Sequence, residues 1–437
     1  MKYPLKRVEN PDWPLLIERL RGALVDLGLR PADDQIEALA VGIRVAMDND
    51  RRRFHTTKHL FQFEIVDAVE QLAVLYHDVV YWNVDAAWPA GFEPLLTPIA
   101  PHGNPGAPLA EYSSLPFYSD ILAIFGLAPG GVTGPVGGNE LFSAFVFAGV
   151  LGKTVGRETT LAVAACIEAT IPFRSGSPRE TLYQRITALG ITDSRAETWV
   201  RRAVRVANED VENFRCKDAG EFLSGTWALM PELNASLRVT GIYSIQSYRE
   251  ALEGMEKFLL FLQPDFLYTS WRGEPSDKVL QGWKDKAAEN LAVARSYLGV
   301  KVLTTAILEA FARATGGNVP FSLFMGSVTA PPEARLESLL PPLEPQAPSD
   351  KVASLLETGR SARSSFDLTN SPVSAWLYRE TTAQERQDQL VRAKALFSGS
   401  LSPEEFLNGW PGGTVTAIAR ALSKFVPTRG QKFLHWV

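Results

Sequence analysis

An all-α fold is predicted for this chain from three observations. Apolar residues recur at helical spacing along most of its length, no segment alternates polar and apolar residues as a strand does, and most connections between periodic segments are short. With 437 residues, 46% of them hydrophobic, the chain can bury one large core or two ordinary ones.

The elements justify that class in order. Trp13, Leu15, Ile17, Leu20 and Leu24 form an apolar stripe that ends near Gly28. After Pro31, Asp33 and Asp34 open a second helix carrying Ile36, Leu39, Val41 and Ile43. The run Arg51-Arg52-Arg53 reads either as a solvated face or, because His55 follows at once, as a phosphate-attracting patch. Residues 67–81 are too apolar for a surface helix and predict a central buried one, with His77 and Asp78 near its C-terminal end. A buried, unpaired Asp78 would be costly, and a metal ion is one partner that removes the cost.

Residues 86–138 change character, with Pro and Gly recurring around one short apolar helix at 118–125. A long loop in a compact domain is often functional, and this one is expected to form a rim over the metal site. Its Gly-rich end matches neither GxxxxGK[ST] nor a dinucleotide fingerprint, which excludes a nucleotide P-loop. His102 lies in the loop and reads as an ordinary exposed histidine. Asn139 is placed as the N-cap of the next helix. Helical patterns follow at 161–169, 179–189 and 193–213, then at 248–263, 279–297 and 302–314. Residues 331–349 are Pro-rich and read as a linker or strap, and 351–358, 383–397 and 415–425 are helical again. The domain expectation is a helical metal-binding domain at 1–220, a helical extension packed on it at 221–330, a linker or strap at 331–372 and a small helical part at 373–437.

Composition excludes several function classes. A net charge of -5 and a pI of about 5.7 give no basic footprint for an obligate nucleic-acid partner. The first residues lack the apolar core of a signal peptide, and no run approaches 18 consecutive apolar residues. The two cysteines, Cys166 and Cys216, have no motif spacing and read as buried thiols rather than a disulfide. A soluble cytoplasmic protein with no membrane partner is expected.

The chemistry-bearing residues concentrate early. Of five histidines, His55, His59 and His77 fall close together, and Asp78 follows the last of them directly. Imidazole with carboxylate suits a hydrolytic divalent ion. His55 and His59 are spaced to share one face of a helix. On one unbroken helix His59 and His77 would stand roughly 27 Å apart. They can share an ion only if the chain turns back, which places a turn near 61–66.

Three blocks, Phe54-His55-Thr56-x-x-His59, Leu75-Tyr76-His77-Asp78-Val79-Val80-Tyr81 and Asn139-Glu140-x-x-Ser143-Ala144, resemble the HD-domain superfamily of metal-dependent phosphohydrolases. They are closest to bacterial hydrolases with Y-H-x-x-x-H, H-D-x-x-Y and N-E-x-x-S-A blocks, over about residues 35–215. The resemblance implies a helical HD-type bundle, extended here by a large helical C-terminal part, around one or two divalent ions (Mn2+, Mg2+, Co2+ or Fe2+). It implies His59 as first ligand, His77 and Asp78 as the diagnostic pair, and a last aspartate from a later helix. Asp193 and Asp210 both stand in range; Asp193 reads as an N-cap, and Asp210 resembles the family's terminal aspartate better. His55 resembles the general acid of the cyclic-nucleotide phosphodiesterase branch. Glu140 or Asn139 would orient a water or a ligand, and Arg53, within the arginine run, and Arg174 would contact phosphate. The implied activity is hydrolysis of a phosphoester in a nucleotide or a small phosphorylated metabolite. A di-iron HD oxygenase needs two more histidines in the intervening helices, whereas only His102, in a loop, and His435, near the terminus, remain. A non-catalytic HD module that senses a nucleotide or holds a partner is the alternative from another class.

Overall fold

The fold follows from amphipathic helices that bury one stripe each. A computed structural model describes residues 12–65, 67–100, 106–134, 136–343 and 347–437. His102 lies outside the described residues. Among those described the protein is all-α, and its only strand-like pairings are isolated bridges such as Pro108 with Val132. Internal packing divides the chain into two compact units, Met1–Glu212 with Pro264–Asp285, and Asn213–Gln263 with Lys286–Val437. The segment Pro264–Asp285, placed by the sequence in the extension, thus belongs to the first unit.

In the first unit α1 (Asp12–Asp26) and α2 (Asp33–Met47) are followed by one helical turn, α3 (Thr57–Leu60), and the buried α4 (Ala68–Tyr76). Asp67 caps α4 by accepting from the N–H groups of Val69 and Glu70, and the helix ends one residue before His77. The expected helix through residue 81 is therefore shorter. His77 and Asp78 sit in the turn that follows it, which frees both side chains to face away from the helix axis. Short helices α5 (Trp82–Asp85), α6 (Glu93–Leu96) and α7 (Tyr118–Ile124) come next. The stretch expected as a structureless rim is anchored instead: Leu96, Ile99, Leu109 and Leu115 are in the core.

α8 (Gly138–Ala169) packs against α4, α7 and α10, and is two helical halves joined at Gly156, whose φ of +82° suits glycine. Ile171 lies against Gly137, where an added Cβ would come within 2.9 Å of its Cδ1, so the second half returns alongside the first. α9 (Pro178–Ala188) and α10 (Asp193–Asp210) complete the unit's main helices. Arg202 pairs with Asp67, and Arg205 Nε bonds the buried Glu70 at 2.8 Å, fixing α10 against α4.

The second unit is built from α11 (Ala219–Leu233), α12 (Ile245–Phe261) and most of the long helix α14 (Asp277–Thr315), which follows the short α13 (Pro264–Leu267). α15 (Phe321–Met325), α16 (Lys351–Thr358), α17 (Pro372–Glu380), α18 (Ala383–Phe397), α19 (Pro403–Asn408), α20 (Thr414–Phe425) and α21 (Gly430–Phe433) follow. The sequence breaks α14 between 297 and 302, whereas the helix runs through. Gly299 there admits the side chain of Leu390, 3.3 Å from where a Cβ would be, and ends nothing. By length and composition α14 could cross a membrane, yet 78% of its most apolar window is buried inside the protein, as in a core helix. The Pro-rich stretch contributes Leu336 and Leu340 to this unit's core. Both cysteines are free, Cys166 buried and Cys216 half-buried.

Candidate metal centre

Three segments of the first unit meet at one point. His59 on α3, His77 and Asp78 after α4, and Asp210 at the end of α10 each offer a donor atom, and these atoms all lie within 4.8 Å of one another. His77 Nε2 is 3.1 Å from Asp78 Oδ2 and 3.2 Å from Asp210 Oδ1. His59 Nε2 is 3.2 Å from Asp210 Oδ1 and 4.0 Å from Asp78 Oδ2. Donors bound to one ion at about 2.1 Å stand roughly 3.0–3.4 Å apart in octahedral or tetrahedral arrangement, so the set fits a divalent cation.

The tautomers agree with that fit. His77 Nδ1 is 2.8 Å from the Val74 carbonyl, which can only accept, so Nδ1 carries a proton and Nε2 is the nitrogen turned to the cluster, the one a bound cation would take in place of its proton. His59 Nδ1 is held by Gln62 Oε1 at 3.3 Å, in the same sense. The rings of Phe54 and Phe63 flank His59, and Phe63 also flanks His77, at 5.2–5.4 Å between centroids. That apolar wall keeps the local dielectric low and strengthens any charge interaction at the cluster.

Each ligand is held from behind. Asp48 accepts from the Thr57 N–H and Oγ1, both at 2.9 Å, which starts α3. Arg19 donates to the carbonyls of Leu60 and Phe61 at its end. Arg52 is buried and donates to the carbonyls of Asp78 (2.6 Å) and Val79 (3.2 Å) while pairing with Asp85 at 2.5 Å. The Val80 N–H donates to Ser143 Oγ at 3.0 Å, and the Trp82 N–H to Asn139 Oδ1 at 2.9 Å. Asn208 exchanges two 2.9 Å bonds with the backbone of Thr269 and steadies the end of α10 beside Asp210.

Electrostatics at the cluster are strongly coupled. Burial alone would lower the pKa of His77, but the carboxylates of Asp78 and Asp210 outweigh it and hold the imidazole well above its usual value. Burial alone would raise Asp78, and His77, with His55 and His59 behind it, brings it well below the usual carboxylate range. Asp210 is lowered in the same way, against its burial, by His59 and His77. Protons and a divalent cation therefore compete for one anionic pocket.

The structure sorts the other expected residues. His55 precedes α3 rather than sharing a helix with His59. Its ring is nevertheless 5.9 Å from that of His59 and 4.5 Å from Tyr81. Asn139 is not the cap of α8, which starts after Gly137; its amide oxygen is taken by the turn that carries Asp78. Asp193 is exposed in the first turn of α10 and accepts from the Tyr183 hydroxyl at 3.0 Å, outside the cluster. Arg53 is exposed and donates to the Arg52 carbonyl. Arg174 is bound to the buried Glu168, at 2.6 Å and 3.2 Å. Arg52, Gln62, Phe63 and Asp85 are supports that sequence reasoning missed; Gln62, three residues after His59, is the one whose spacing signals its role.

Glu140, in the first turn of α8, is raised to about 7, chiefly by burial, with the charges of Asp78 and Asp210 adding to it. Its folded pKa lies above its unfolded one, so its stabilising contribution is full below about pH 4.5 and is lost as pH rises through about 7. In metal-free protein, Glu140→Gln is expected to gain about 1–3 kcal/mol on wild type between pH 5 and pH 8. Urea unfolding at both pH values in EDTA measures the gap; an unchanged gap contradicts the assignment.

Fold and site together define an all-α protein with a two-histidine, two-aspartate candidate metal centre. No family model, curated protein or solved structure matches the chain.

Proposed function

We propose that the protein is a metal-dependent phosphohydrolase of the HD type, acting on a phosphoester of a nucleotide or small phosphorylated metabolite. The observation that carries this reading is the convergence of His59, His77, Asp78 and Asp210 from segments far apart in sequence. A bound Mn2+, Mg2+, Co2+ or Fe2+ ion would supply Lewis acidity toward a phosphoryl oxygen and an acidified water.

The chain's own residues would do the rest. His59 and His77 present Nε2 with tautomers fixed by Gln62 and Val74, and the two aspartates balance the ion's charge. His55, whose half-buried ring packs against Tyr81 beside the cluster, would hand a proton to the leaving-group oxygen. Glu140, with a pKa near 7, can accept or return a proton at neutral pH. Asn139 serves by holding the turn of Asp78 rather than by touching substrate.

The test pairs metal analysis with hydrolysis of bis-p-nitrophenyl phosphate and a nucleotide panel, on wild type and His77→Ala. Near-stoichiometric metal and hydrolysis in wild type, both lost in the variant, support the reading. Metal without hydrolysis of any phosphoester would favour a nucleotide-sensing or scaffold role. Neither metal nor hydrolysis after added Mn2+ overturns it.

A further inference from the structure

A second polar site lies in the first unit; Ala207 and Val211, on either side of Asp210, line it, but none of the four ligands does. The end of α8, the loop after it, the start of α9, the end of α10 and residues 266–269 line a small, partly open pocket. Thr170, Arg174, Arg179 and Thr269 supply its polar lining, and Phe173 and Phe266 are among its apolar walls. No carboxylate lines it.

Arg179 is the residue that needs explaining. It is 6% exposed. Nε bonds Thr269 Oγ1 at 3.3 Å and Nη2 bonds the Ala169 carbonyl at 2.9 Å. Nη1 is fully buried and has no hydrogen-bond partner among the described residues. The charges acting on Arg179 are those of Arg174 and Glu168. Glu168 is already shared by Arg174 at 2.6 Å and Arg185 at 3.3 Å. The two guanidiniums that line the pocket thus have one carboxylate between them, which Arg185 also engages, leaving an excess of at least one positive charge there. Leaving a buried cation uncompensated is costly, and a water molecule would satisfy the N–H without touching the charge. Guanidinium forks match the oxygens of a phosphate, and the positive excess favours an anion over water.

We propose that this pocket binds a phosphate group, free or as a phosphomonoester, with Arg179 Nη1 as its principal donor and Arg174 as the flanking charge. The site stands on the pocket and its charge excess, whatever the metal centre does. Burial together with Arg174 lowers Arg179 to about 10, so it remains a cation at neutral pH and carries its charge into the site.

The full chain in EDTA is unfolded thermally with inorganic phosphate, and with acetate or chloride at matched ionic strength. Saturating phosphate is expected to raise Tm by roughly 2–4 °C. Arg179→Gln should abolish the rise, and Asp210→Asn, which alters the metal cluster, should keep it. Should Arg179→Gln fail to fold, Thr269→Asp supplies a built-in anion 3.3 Å from Arg179 by the wild-type distance and should remove the phosphate response by itself. No rise in wild type means that water alone fills the pocket and overturns the proposal. So does a rise that survives both pocket variants, one that is lost in Asp210→Asn, or one that acetate or chloride reproduces.

Discussion

Asp210→Ala is expected to empty the metal centre and reduce phosphoester hydrolysis by at least about 100-fold, while the helical CD spectrum persists. The bound is conservative, because losing a residue that merely orients a ligand costs about 10–100-fold in metal affinity or activity. Asp210 Oδ1 is 3.2 Å from the Nε2 atoms of both histidines, so it is the donor on which the other segments centre. Its removal leaves Asp78 as the one carboxylate of the four-residue group facing two imidazoles, too little negative charge to hold a divalent ion against protons. Asp193→Ala is the control on the same helix. It costs only an exposed contact with Tyr183 and should leave metal content and hydrolysis at wild-type levels. Metal analysis and bis-p-nitrophenyl phosphate hydrolysis on both variants check the contrast. Full metal in Asp210→Ala would remove Asp210 from the ligand set.

Much of the fold and the core of the site could be read from the sequence, for different reasons. Helix class is written in local periodicity, which needs no partner to be seen. The cluster includes the adjacent His77-Asp78 and His59, which follows His55 by four residues, features that a linear reading detects. What the sequence concealed depends on contacts between distant residues. Nothing local marks Arg52 as a buried scaffold residue rather than part of a basic surface patch, because Asp85 and the Asp78 carbonyl reach it only after the chain folds. Asn139 looked like a helix cap, and only the nearness of Trp82 reveals its use. Arg174 looked like the phosphate contact of its loop, and neither its bonds to Glu168 nor the unpartnered Nη1 of Arg179 beside it can be seen before the chain folds. The gap between the helical patterns at 279–297 and 302–314 shows the converse error, since α14 runs straight through it.

Arg52 also sets the largest expected loss of stability. Its side chain is fully buried, and it spends its donors on four acceptors: the Asp85 carboxylate, the carbonyls of Asp78 and Val79, and more distantly that of His55. Arg52→Ala would leave Asp85 charged, buried and without its cation, at a cost of about 3–5 kcal/mol. It would also strip the two carbonyls that follow His77 of their donors. The turn that aims Asp78 would then loosen, and metal affinity should fall with stability even though no ligand is changed. Arg52→Lys should recover little, because one ammonium cannot reach a carboxylate and two carbonyls in the fixed directions of a guanidinium. The double variant Arg52→Met with Asp85→Leu separates the two effects. Removing both charges should return much of the lost stability while the Asp78 turn stays unsupported, so the protein melts closer to wild type and still binds metal weakly. Denaturant unfolding and metal titration of the three variants read the two quantities independently. Wild-type metal affinity in the double variant would show that the turn holds itself and that Arg52 contributes only its ion pair.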